Sequence, residues 1–525
     1  MKTNKFFIIS IISVFYFIYI SLVIKPWTFD NFLLVDDGQV LPQNALYLNS
    51  CVKNLDCSRY FDQTFELGGY RFRPGYWIIN GINQIVLGNR ADLHHIYRAY
   101  VIGYLSVILL ALILLRLKIN KLVIFFTTLI FMTSFSFSEN IIRLGTNEPY
   151  QVIFLALFSL MYLSQIKKGV FLIVLLAWAL LIKENNIAIL PAILFTELLT
   201  NRRFYLKKSL WLILGIPFLV FIAGSVISRF ILPSTTLNIP VYTSNYTVEV
   251  GEIFKNSKAI AAILLSDTSL FLFLIFSFLL LFKNIRKALK NKEFIYWVLF
   301  SAFSIVILTP WKYVLDRYYL VGIFGLNVVV AYLISQLITL IRNKLNLKFF
   351  DTATKVLAFN IVIFLIMSNL FFIEFPINFA KTLNYRNWFE IFTNFETDQV
   401  REIAKYNTDG VYLNTVNNLN SWEFLYEIPI HLKLLYGINP NTEMLGAALP
   451  KSGIVFSRSS LDIAFDMKKM EKSGYKKVES KSYYINQIDP LKFRNEFGMR
   501  PIQTIFSPPF QKENLSYYWE IRYKK

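Results

Sequence analysis

The sequence predicts a polytopic α-helical membrane protein, with about eleven transmembrane helices and a small extracytoplasmic α/β C-terminal domain. Three observations predict it. Apolar residues fall in runs of about 17–25, the length that crosses about 30 Å of hydrocarbon. Basic residues gather in alternate loops between those runs. From residue 375 onward the chain loses its apolar character.

Composition supports the first observation. Hydrophobic side chains make up 55% of the residues and charged ones only 17%, against roughly 25% charge in an ordinary soluble domain. The runs are 6–24, 96–115, 122–138, 149–165, 169–182, 186–200, 209–232, 259–282, 294–309, 318–341 and 354–374. Two of them, 169–182 and 186–200, are short and form a tight hairpin through Lys183-Glu184-Asn185-Asn186. Asp267 interrupts the eighth run, so an interfacial helix could precede a shorter span there. The basic start and the run Phe6–Ile24 read as a retained signal anchor: the run is too long for a cleavable signal, and no small-x-small site follows it.

Charge sets the orientation. With the N-terminus in the cytoplasm, the cytoplasmic segments hold 20 Lys and Arg and the short external loops hold 6, namely Arg143, Lys183, Lys255, Lys258, Lys312 and Arg317. The same pattern accounts for the net charge of +20 and excludes nucleic acid as the partner, because the cations are spread over loops as the positive-inside rule produces. Residues 1–374 then form the transmembrane domain, with loop 25–95 outside, and 375–525 form a soluble external domain. The Lys-, Asn-, Ile- and Phe-rich usage is compatible with an AT-rich bacterium, and the expected location is the bacterial inner (plasma) membrane, with the N-terminus cytoplasmic.

Cys51 and Cys57 both fall in the first external loop, where an oxidising compartment lets them pair as a structural disulfide. Two free thiols, or a redox or metal pair, are the alternatives; no third or fourth ligand stands nearby. In the same loop, Tyr76–Leu87 is amphipathic and suits the membrane interface. The tail carries 20 Lys/Arg and 16 Asp/Glu. Its helix-like stretches (near 396–406 and 461–473) alternate with strand-like ones (410–415, 452–457 and 481–488), which gives the α/β assignment.

The ionisable residues gather on the outer face. They are Asp36 and Asp37 early in the first loop; Arg71, Arg73 and Arg98; Glu139, Arg143 and Glu148; Lys183 and Glu184; Arg229; and Lys312, Asp316 and Arg317. Each has an ordinary reading. The Asp pair can be a solvated turn, the arginines can reach for headgroups, Glu139 and Arg143 can be a helical ion pair, and Lys183-Glu184 can cap a hairpin. His94 and His95 suit the interface, and the sequon at Asn245 matters only in a eukaryotic secretory setting. Taken together, cations converging on one membrane face suit a phosphate or pyrophosphate headgroup, and a carboxylate among them suits a general base.

Several segments, in order, resemble the GT-C superfamily of membrane glycosyltransferases, with the protein O-mannosyltransferases and the lipid A aminoarabinose transferases as relatives. They are Val35-Asp36-Asp37-Gly38, Phe72-Arg73-Pro74-Gly75, Arg143 to Asn147-Glu148-Pro149, Lys183-Glu184 to Pro191, and Asp316-Arg317-Tyr318-Tyr319-Leu320. The usual proline after the last segment is missing. The tail's layout is loosely similar to phage-type O-antigen glucosyltransferases.

The resemblance implies inverting transfer from a polyprenyl-phosphate sugar to a hydroxyl on an envelope glycan, lipid or protein acceptor. Asp37 or Asp36 is the expected base. Arg73, Arg98, Lys183 and Arg317 are the expected phosphate ligands, supported by Glu139, Arg143, Glu148, Glu184 and Lys312. No cofactor is required, and a divalent cation is optional. The rival readings are a transporter or flippase of lipid-linked sugars, a non-catalytic assembly or receptor protein, and a polymerase or ligase with a diphosphate-linked donor. A transporter calls for charge near mid-membrane and repeated or broken helices; mid-span charge is sparse apart from Asp267, and the chain shows no repeat.

Overall fold

The computed structural model describes residues 3–33, 39–66, 72–164, 169–201, 203–228, 249–267, 291–311, 314–344, 352–406, 410–415, 419–445, 448–458, 466–506, 508–509 and 515–525. Asp36, Asp37, Arg71, Arg229, the Asn245 sequon and Lys312 lie outside these residues, as do parts of the seventh and eighth expected spans.

Among the described residues, five helical stretches are long and apolar enough to cross a membrane: Phe6–Thr28, Ala91–Arg116, Lys208–Val226, Asp316–Thr339 and Ile363–Ala404. A sixth is the pair Lys121–Thr133 and Phe135–Ile142, bent by 53°. The expectation of about eleven is therefore not reached here. Four of the other expected spans are present as helices of less than membrane-crossing length: Glu148–Leu163, Gly169–Ile182, Ile189–Thr200 and Lys292–Val306, with 16, 14, 12 and 15 residues. At 1.5 Å per residue, these cover only about 18–24 Å.

The bend follows from one residue. Ser134 takes an extended backbone, and its side chain accepts the Phe137 N–H at 3.3 Å. A serine that caps a new helix inside an apolar run stops the old one and redirects the chain. The redirected helix, Phe135–Ile142, carries Glu139 inward. The turn between Gly169–Ile182 and Ile189–Thr200 is the 3-10 segment Glu184–Ala188, where the hairpin was expected.

The long helix Thr352–Ala404 runs unbroken for 53 residues. It leaves the helical bundle and becomes the spine of the C-terminal domain. The helix Pro490–Met499 packs Phe493 and Phe497 against its Phe375 and Phe379. Asn384 exchanges hydrogen bonds with the backbone of Ile488 at 2.7 and 2.8 Å, and the Trp388 indole donates to Tyr517 at 3.0 Å.

The domain's five-stranded sheet has the order β2-β1-β3-β5-β4, with β1 Gly410–Leu413, β2 Asn441–Met444, β3 Gly453–Arg458, β4 Lys476–Ile485 and β5 Leu515–Lys524. Strands β2, β1 and β3 are parallel, and β5 and β4 are antiparallel additions. The helix Leu419–Tyr436 connects β1 to β2, as a parallel pair requires. Val411, Leu413, Ile454, Phe456, Trp519 and Ile521 build the core against Phe395, Val400 and Ile403 of the long helix.

In the first loop, Cys51 and Cys57 are joined as a disulfide between the helices Asn44–Asn54 and Ser58–Phe65. The amphipathic segment is the helix Pro74–Leu87. Its polar Asn80, Asn83 and Gln84 are buried against the protein, while Ile82, Ile85 and Val86 are exposed. That inversion suits a helix whose outer face meets lipid.

Candidate functional site

Three of the expected phosphate ligands come together. A cavity of about 210 Å³ is lined by Arg73, Lys183 and Arg317, by Glu148 and Glu184, and by Gly145–Asn147, Asn185, Ile307, Leu308, Trp311 and Tyr318. Five stretches of the chain supply these residues, each at or beside the end of a helix.

Arg73 precedes the proline that starts the helix Pro74–Leu87. Its guanidinium donates to Glu66 Oε1 at 2.6 and 3.0 Å, and the Trp77 indole donates to the same oxygen at 3.0 Å. Burial opposes the Arg73 charge, but Glu66 and Glu184 outweigh it and hold the guanidinium pKa above its ordinary value. Glu148 opens the helix Glu148–Leu163, where a carboxylate suits the positive helix N-terminus. It forms an ion pair with Lys183. The Lys183 ammonium also lies 4.8 Å from the centre of the Tyr318 ring.

Arg317 sits in the 3-10 turn Asp316–Tyr319. The helix Phe135–Ile142 grips this turn along its length. Ser136 donates to the Asp316 carbonyl at 2.8 Å, Asn140 donates to the Arg317 carbonyl at 2.8 Å, and Glu139 accepts from the Arg317 N–H and guanidinium at 3.2 and 3.4 Å. Glu139, which the sequence could also pair with Arg143, thus holds Arg317. Arg143 remains within electrostatic reach of Glu139 and of the buried Tyr385 on the long helix.

Arg98, expected among the phosphate ligands, lies elsewhere. It is 2% exposed and donates to the Asn140 carbonyl at 3.1 Å and to the carbonyl and hydroxyl of Thr146. Its guanidinium lies 4.9 Å from the Tyr150 ring centre. These acceptors occupy the guanidinium, so Arg98 props the turn that presents Asn147 and Glu148 and does not line the cavity. His94 meets the Gly88 carbonyl at 2.8 Å, and His95 is buried between Phe29 and Phe389.

Asp36 and Asp37 are outside the described residues, but the chain that follows them is anchored beside the cavity. Leu41 is buried with Tyr76, Trp77 and Leu144, and the Tyr76 hydroxyl donates to the carbonyl of cavity-lining Gly145 at 2.7 Å. Among the described residues, no three His, Cys, Asp or Glu side chains come together as a metal-ligand set.

An apolar groove adjoins the polar cavity. It is lined by Ile187, Ala188, Leu190, Pro191, Leu194, Phe218, Phe303, Val306 and Ile307, and Ile307 belongs to both. Sequence reasoning missed Glu66, Trp311 and Tyr318. Tyr318 stood inside the Asp316-Arg317-Tyr318 segment, which was its signal. Glu66 had none that set it apart from Asp56 and Asp62 in the same loop.

No family model matches the chain, and no curated protein matches it. Among solved structures, the chain is similar to the crystal structure of ArnT from Cupriavidus metallidurans bound to undecaprenyl phosphate. The TM-score is 0.49 and the identity 12%, over 92% of this chain and 96% of that chain.

Proposed function

We propose that the protein is a membrane glycosyltransferase that moves a sugar from a polyprenyl-phosphate donor to a hydroxyl acceptor on the extracytoplasmic face, with inversion. The observation that carries this reading is the junction at Ile307 of a cavity holding Arg73, Lys183 and Arg317 with a groove of aliphatic and aromatic side chains. A lipid phosphate has these two halves: an anionic head that needs buried cations and a chain that needs apolar walls.

In the reaction, Asp37 or Asp36 takes the acceptor hydroxyl proton. The acceptor oxygen bonds to the anomeric carbon, the bond from that carbon to the phosphate oxygen breaks, and the polyprenyl phosphate leaves with the electron pair. Arg73, Lys183 and Arg317 stabilise the charge that grows on the leaving phosphate. Each starts out held by a carboxylate (Glu66, Glu148 and Glu139), so the cations are oriented before the donor arrives. Protein cations suffice for this task, and a divalent cation would only supplement them.

The test is turnover of a panel of polyprenyl monophosphate sugars by purified protein with membrane extract as acceptor source. Consumption of one donor by the wild type, lost in Asp37→Asn or Asp36→Asn, supports the reading. Donor binding without consumption, together with passage of the lipid between leaflets of proteoliposomes, replaces it with the flippase reading.

A further inference from the structure

The C-terminal domain has a charged pole that the transferase reading does not use. Residues 466–479 and 515–525 hold eight Lys and Arg against four Asp and Glu. Their net +4 equals that of the whole tail, which has 20 against 16. The excess is thus concentrated in one place. Arg522 is buried and engages the buried Glu520 at 2.5 Å and the exposed Glu471 at 3.1 Å, so one of the four carboxylates is withdrawn from the surface and a second is tied to an arginine. Lys468, Lys469, Lys472, Lys476, Lys477 and Lys525 are exposed around it, with Lys477 also 3.6 Å from Glu520.

The fold places this pole away from the membrane. Arg386 of the long helix donates to the Val23 carbonyl, at the end of the first apolar stretch, at 2.9 Å. Further along the same helix, Trp388 meets Tyr517, Asp398 meets Lys481 and Tyr483, and the ring of Tyr406 beyond its end packs at a tilt against Tyr523, 5.3 Å between centres. Strand β5 therefore runs outward alongside the helix. Its end pairs with the start of β4, Tyr523 against Lys476. The rise from residue 386 to 404 is about 27 Å, several times the roughly 8 Å screening length at physiological salt. Measured along the helix from the Arg386–Val23 contact, that distance argues against a headgroup contact with the chain's own membrane and against action on the cavity.

Its chemistry also selects among anionic partners. Protein interfaces centre on aromatic and apolar anchors and are poor in lysine. None of the exposed large apolar side chains among the described residues falls in 466–479 or 516–525. A surface of lysines without an anchor suits a flexible polyanion held by many weak charge contacts.

We infer that this membrane-distal pole, built on Lys468, Lys469, Lys472, Lys476, Lys477 and Lys525, binds an anionic polysaccharide. The inference is independent of the transferase reading and is tested without turnover. Full-length protein in neutral detergent is titrated into fluorescein-labelled polygalacturonate, with neutral dextran and poly-L-glutamate as comparisons. The wild type binds polygalacturonate and not dextran, and the affinity drops by about tenfold or more as salt rises from about 50 to about 200 mM. Glutamine at Lys468, Lys469, Lys472, Lys476 and Lys477 together weakens binding by about tenfold or more, while glutamine at Lys433, Lys492, Arg494 and Arg500 leaves it unchanged. Absence of binding, equal binding by the two variants, or tighter binding of poly-L-glutamate would each overturn the inference, the last in favour of an acidic protein partner.

Discussion

Glu139 holds Arg317 by two different groups: one carboxylate oxygen faces the guanidinium at 3.4 Å, and the other accepts the backbone N–H at 3.2 Å. Both side chains are nearly buried, at 8% and 11% exposure. Removing one member leaves the other charged in a poor solvent, which costs more than the pair itself contributes. Glu139→Gln keeps an acceptor for the N–H but loses the charge. We expect it to lower stability by about 2 kcal/mol and donor turnover by about a hundredfold, through a misplaced Arg317. Glu139→Gln combined with Arg317→Met should recover much of the stability and none of the activity. Thermal inactivation in detergent and donor turnover measure the two effects. Additive losses of stability would show that the residues do not act as a pair.

Lys183 tests the phosphate side of the cavity. Its ammonium is held between Glu148 and the Tyr318 ring, so it is positioned before a donor arrives. Lys183→Met should cut kcat by about 10²–10³, the loss that follows removal of one preorganised transition-state contact. Lys183→Arg should restore part of that while raising KM, because the guanidinium does not fit the same gap. An unchanged kcat in Lys183→Met would remove Lys183 from the reaction and leave it as a structural partner of Glu148.

In the proposed reaction, the proton transfer is assigned to the carboxylate pair of the first loop. Asp37→Asn or Asp36→Asn should reduce turnover by about 10²–10⁴, with thermal stability and donor binding unchanged. Full turnover in both single variants would take the base away from this loop.

Much of this site was legible in the sequence because topology does the sorting. Loops of the same parity must share a membrane face, so Arg73, Glu148, Lys183 and Arg317 could be placed together without any contact being known. What sequence could not show is which of them turn inward. Arg98 looked equivalent to Arg73, yet its partners are the carbonyls of Asn140 and Thr146, and carbonyl positions leave no mark in residue types. Ser134 reads as an ordinary polar residue in an apolar run; its capping role needs the backbone to turn there. The tail was only half read. Strand β5 alternates Tyr517, Trp519, Ile521 and Tyr523 toward the core, a period-two signal that was present and overlooked. Strand β2, four residues of which none is buried, offered too little pattern to find. The drop in hydropathy at 375 was visible, but helix Thr352–Ala404 passes through it and through Pro376, a residue that read alone marks a helix stop.

The buried His431 makes the C-terminal domain sensitive to acid. It lies in the helix Leu419–Tyr436, near Ile428 and Leu432 of the domain core, and is 5% exposed. Its Nε2 has no hydrogen-bond partner among the described residues. Burial pushes its pKa down to about 4 from the ordinary 6.5. The folded state therefore refuses a proton that the unfolded chain accepts. The histidine's contribution is complete above about pH 6.5 and is lost progressively as pH falls toward 4, for a total of about 3 kcal/mol. His431→Phe keeps an aromatic ring in the core and has no proton to bind. Thermal melts of the full-length protein at pH 7.5 and 4.5 should show a larger acid-induced drop in Tm for the wild type than for this variant. Equal drops would mean that other groups, and not His431, set the acid limit of the domain.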